Sequence, residues 1–68
     1  MTPNQFEQVY NIAPKGASVS VSEDYFKSQH MDGVQVEWTC YIKHDGESFI
    51  GTGPTFEDAF AEIKGEMK

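Results

Sequence analysis

Between Val34 and Lys43 the chain alternates. Val34, Val36, Trp38, Cys40 and Ile42 fall at every second position, and Gln35, Glu37, Thr39, Tyr41 and Lys43 fill the places between. That period of two belongs to a strand with one buried face and one wet face. Asp45-Gly46 then supplies the two-residue signal of a type I′ hairpin, whose central residues need positive φ. A turn there sets Ile42 opposite Phe49, Tyr41 opposite Ile50 and Cys40 opposite Gly51. Phe49 then joins Ile42 and Trp38 in the core, while Tyr41 and Ile50 form an apolar pair on the other face. Gly51 and Gly53 leave room for a helix to approach, or mark a bulge where the strand ends.

The flanking segments read as helices. Thr55 is an N-cap, with Glu57 and Asp58 in the first turn, where acids suit the macrodipole. Phe56, Ala59, Phe60, Ile63 and Met67 make the apolar face, and Lys64 and Lys68 lie near the end. At the other terminus, Thr2 and Gln5 form a capping box around Pro3, which suits the first helical position. Phe6, Val9, Tyr10 and Ala13 follow at helical spacing, and Pro14 stops the helix. Lys15-Gly16 is a turn. Ala17 to Lys27 is a first strand in which Val19 and Val21 point inward. Strict alternation beyond them puts Glu23, Tyr25 and Lys27 on the core side; a bulge near Ser22–Asp24 is the expected remedy, turning Phe26 inward and releasing the charges. Ser28 to Gly33 is a loop ending in the turn signal Asp32-Gly33. The order predicts one α+β domain over residues 1–68, α-β-β-β-α, an antiparallel three-stranded meander with both helices on one face.

Charge and size narrow the function. The chain carries five basic residues, all lysine, against eleven acids, a net charge of −6. Without arginine it lacks the planar fork suited to phosphate and guanine, and its net charge repels nucleic acid. A protein partner with a basic surface is the expectation, and nucleic acid is disfavoured. A length of 68 residues is near the lower limit for a self-sufficient core. A ligand cavity of about 300–1,000 Å3 takes volume that such a core needs. One cysteine makes no internal disulfide, and no apolar run approaches the ~20 residues of a membrane span. A cytoplasmic setting, with no membrane, is expected.

The topology, with Gly51-Thr52-Gly53 and then Thr55-Phe56-Glu57-Asp58-Ala59-Phe60-Ala61, resembles the double-stranded RNA-binding domain family, whose pattern there is G-x-G followed by S-K-K-x-A-K-x-x-A-A. His30, between the first two strands, sits where that family often has a histidine. The resemblance implies the fold and, where the family's lysines are kept, contact with duplex RNA. Here Glu57 and Asp58 occupy the region of those lysines, so the implied RNA-binding surface is not retained. The segment Thr55 to Ala59 is also similar to the T-x-E-E-A helix start of the HicB-like antitoxin family.

No residue set points to catalysis, a metal or a cofactor. Cys40, His30, His44 and Asp32 lack paired ligand spacing, and a mid-strand cysteine behaves as a small hydrophobe. Glu57, Asp58, Glu62 and Glu66 read as a solvated helix face, since acid–base work needs a cleft and shifted pKa values. Gly51 to Thr55 lacks the lysine and spacing of a phosphate loop. What is left is the open sheet face, with Tyr41 and Ile50 at its centre and Glu37, Thr39 and Thr52 among its rim residues. The expected function is a non-catalytic, regulatory protein-interaction domain, similar to phage and mobile-element accessory proteins that inhibit a host factor. Its partner-binding residues are then Glu37, Thr39, Tyr41, Ile50, Thr52, Glu57 and Asp58. In one version Glu7, Glu23, Asp24, Glu37, Glu57, Asp58 and Glu62 imitate nucleic-acid phosphates. Homodimerisation through the open face fits equally. The alternative is a double-stranded-RNA-binding-like module, or a single-strand binder that stacks bases on Tyr41.

Overall fold

A computed structural model describes residues 2–27, 29–30 and 32–67; Ser28 and Met31 of the expected loop, and Lys68 of the expected helix end, lie outside them. Helix α1 runs Pro3–Ile12, strands β1, β2 and β3 run Ser18–Phe26, Gln35–His44 and Glu47–Gly53, and helix α2 runs Phe56–Glu66. The strands lie in the order β1-β2-β3, each antiparallel to its neighbour. The α+β class and the α-β-β-β-α meander read from the sequence are the fold.

Local chemistry sets the boundaries. The Gln5 backbone N–H donates to Thr2 Oγ1 (3.3 Å), and the Thr2 N–H donates to Gln5 Oε1 (2.9 Å). This closes the capping box that starts α1. Asp45 (φ 54°) and Gly46 (φ 79°) both adopt left-handed geometry, so the hairpin turns in two residues and His44 meets Glu47. The register of β2 on β3 is the expected one: Ile42 faces Phe49, Tyr41 faces Ile50 and Cys40 faces Gly51. In α2 the Asp58 N–H donates to Thr55 Oγ1 (3.2 Å).

One cluster of buried side chains holds the layers together. Val21, Trp38, Cys40 and Ile42 come from the sheet, Val9 from α1, and Phe56, Ala59 and Ile63 from α2. The sheet members share one side-chain parity, so both helices cover the same face. Trp38 meets Phe56 edge-on (centroids 5.8 Å), and Phe56 stacks on Phe60 (5.5 Å). The helix rides directly on β3 at its glycines. A Cβ on Gly51 would overlap the Ala59 carbonyl oxygen and come within 2.8 Å of Ile63 Cβ, and one on Gly53 would stand 2.6 Å from Asp58 Cβ. Of the two roles open to these glycines, close helix approach is the one they fill.

Three expectations are corrected. There is no bulge in β1: its pairing with β2 is unbroken from Ser18 opposite Lys43 to Phe26 opposite Gln35. Phe26 therefore stays on the open face and Glu23 keeps the core-side parity. No charge is sealed in by this, because burial fades along the strand from Val21 (8 % exposed) to Tyr25 (65 %). Val34 lies outside β2 and is exposed. On α1, Tyr10 is exposed and stacks on Phe6 (6.3 Å), while Ile12 packs against the core in its place.

Candidate interaction surface

The face of the sheet away from the helices is built in cross-strand rows. Nearest the hairpin, Lys43 lies between Ser18 and Ser48; next, Tyr41 lies between Ser20 and Ile50; then Thr39 lies between Ser22 and Thr52. Beyond the end of β3, Asp24 stands opposite Glu37, and Phe26 opposite Gln35. A cation therefore marks one end and the Phe26–Gln35 row the other, with two carboxylates just inside it and an aromatic–aliphatic centre with a row of hydroxyls between.

At the centre, the hydroxyls of Tyr41 and Ser48 share an exposed hydrogen bond of 3.1 Å, with the ring lying along the sheet towards β3. Tyr41 is half-buried among its neighbours, and its cross-strand partner Ile50 is 46 % exposed. Five of the seven residues expected at the interface (Glu37, Thr39, Tyr41, Ile50 and Thr52) share this face. Glu57 and Asp58 do not; they are exposed in the first turn of α2, in the layer behind the sheet. The seven form two surfaces.

Other polar groups sit elsewhere. Cys40 is fully buried, and burial pushes its thiol pKa up, away from the reactive thiolate. His30 is exposed in the β1–β2 loop, and His44 is half-buried at the end of β2. Among the described residues no group of three or more His, Cys, Asp or Glu is arranged to hold a metal ion. Nor is any helix among them long and apolar enough to cross a membrane.

Sequence reasoning missed the exposed end of the β1–β2 ribbon. The β2–β3 pairing stops at Trp38 and Gly53, so Asp24–Phe26 and Gln35–Glu37 run on as two strands without β3 beside them. Tyr25 (65 %), Phe26 (49 %) and Val34 (64 %) are all largely exposed there. An open hollow of about 250 Å3 beside them is lined by Phe26, Gln35, Val36, Glu37, Thr52, Gly53 and Pro54. The Tyr25 phenol is pushed up by the neighbouring Glu23 carboxylate, which repels the phenolate and also hydrogen-bonds the phenol. Unbroken alternation through Ser22–Phe26 was the signal that could have found this end. A second open hollow, about 480 Å3, lies on α1 between Thr2, Pro3, Phe6, Glu7 and Tyr10.

Compared with models of known protein families, with curated proteins and with solved structures, the chain gives no match.

Proposed function

We propose that this chain is a non-catalytic regulatory protein that binds another protein through its open sheet face. The observation that carries the proposal is the Tyr41–Ile50 pair at the centre of a sheet face that no helix covers, with the Tyr41 hydroxyl hydrogen-bonded to Ser48. Tyrosine supplies a large contact area with only two rotatable side-chain bonds to order, and it is over-represented among residues that dominate interfaces. Asp24 and Glu37, side by side near one end of the same face, favour a partner that brings a lysine or arginine there. Glu57 and Asp58, in the other layer, add to the long-range field of a chain with net charge −6 and speed encounter with a basic partner. The setting we infer is a reducing cytoplasm, in keeping with a free and buried Cys40. The biological role that fits is that of an accessory protein of a phage or other mobile element, inhibiting or retuning a host factor.

Affinity capture from a host lysate, with and without nuclease, tests this. The same protein should be retained in both arms by the wild type and lost by the Ile50→Lys variant. Recovery only without nuclease would overturn the proposal in favour of the nucleic-acid-binding alternative.

A further inference from the structure

We propose that the outer edge of β1 pairs, antiparallel, with the β1 edge of a second copy of this chain. Among the described residues β1 is bonded to β2 alone, which leaves one side of a nine-residue strand unpaired. Such an edge offers a row of N–H and C=O groups to any extended chain, and proteins usually guard it with Pro, Lys or a bulge. Within SVSVSEDYF there is no Pro and no Lys, and the pairing with β2 shows no bulge; its charges are the adjacent acids Glu23 and Asp24, with Lys27 just past its end, so the half from Ser18 to Ser22 carries no charge. The opposite edge is different: β3 has seven residues, two of them glycine, and Pro54 follows.

The occupant follows from self-complementarity. A two-fold axis normal to the sheet keeps each side chain on its own face, and full overlap of the nine residues puts that axis at Ser22. Ser22 then faces its own copy, Glu23 faces Val21, Asp24 faces Ser20 and Tyr25 faces Val19. No acid of the strand meets an acid directly, and the two Glu23 carboxylates are only diagonal neighbours. The exposed Tyr25 and Phe26 gain cross-strand partners, Val19 and Ser18. The product is a six-stranded sheet with all four helices on one face and two Tyr41–Ile50 centres on the other. This surface is separate from the open face, so the inference does not rest on the function proposed above.

Sedimentation equilibrium with two lysine variants, and oxidative cross-linking with two cysteine variants, test it. A wild-type mass of twice 7.7 kDa is expected, with dimerisation strengthened by added salt because each copy carries −6. Ser20→Lys places a lysine opposite the partner's Asp24 at two symmetric sites and should tighten the dimer roughly tenfold. Ser22→Lys sets lysine against lysine and should weaken it. Ser22→Cys should form an intermolecular disulfide on mild oxidation, because directly opposed strand residues lie within disulfide reach, whereas Ile50→Cys should not. A wild type that stays monomeric into the millimolar range would overturn the proposal. So would a dimer that cross-links through Ile50→Cys and not through Ser22→Cys.

Discussion

Asp24 lies directly across from Glu37 in the β1–β2 pairing, so the open face carries two carboxylates in adjoining positions where a sheet gains most from opposite charges. Glu37→Lys converts this like-charge pair into an attractive one. A gain of about 1 kcal/mol is expected, or a rise of roughly 4–8 °C in Tm for a domain of this size. Thermal unfolding at low and high salt checks it, since the gain should shrink as salt screens the pair. No change in Tm would mean that the two carboxylates do not interact.

Glycines 51 and 65 should respond with opposite signs to the same substitution. Gly51→Ala drives a methyl group into the Ala59 carbonyl and the Ile63 backbone, which have no flexible end to yield. A loss of about 1–3 kcal/mol or more is expected. Gly65 lies within α2 with nothing inside 4 Å of an added Cβ, so Gly65→Ala should stabilise by ~0.5 kcal/mol through helix propensity. Urea unfolding of the two variants beside the wild type measures both.

The two glycines also show what the sequence can convey. Asp45-Gly46 fixed the hairpin, the hairpin fixed the β2–β3 register, and the register placed Gly51 under the helix, so a chain of local rules reached the core. The Tyr41–Ile50 centre was legible for the same reason. β1 was not, because its inward parity contains Glu23 and Tyr25. A bulge is required there only if helices cover the whole strand. How far a helix reaches over a sheet depends on packing between distant segments, and no local pattern records it. Likewise, Tyr10 and Ile12 both lie near the packed side of α1. Contact with the rest of the core chose Ile12.

Burial of the Cys40 thiol makes the stability of the fold depend on alkaline pH. The protonated thiol is favoured in the folded state, so the folded pKa lies above the ordinary 9.0. The resulting stability is fully present below that value and is lost as pH rises through the folded pKa. Stability should therefore decline above about pH 9, more steeply in the wild type than in Cys40→Ala. The native thiol should also resist a thiol reagent at neutral pH and react on unfolding. Rapid labelling of the folded chain would contradict the buried placement.

The most direct measurement is a calorimetric titration of the captured partner into wild type, Tyr41→Ser/Ile50→Lys and Glu57→Lys/Asp58→Lys. Loss of the sheet-face pair should cost at least ~2 kcal/mol, about thirtyfold in affinity, as removal of a central anchor does. The helix pair should change affinity only about threefold, through a salt-dependent association rate. The opposite pattern, with the sheet-face variant binding normally and the helix variant not at all, would contradict recognition through the open face.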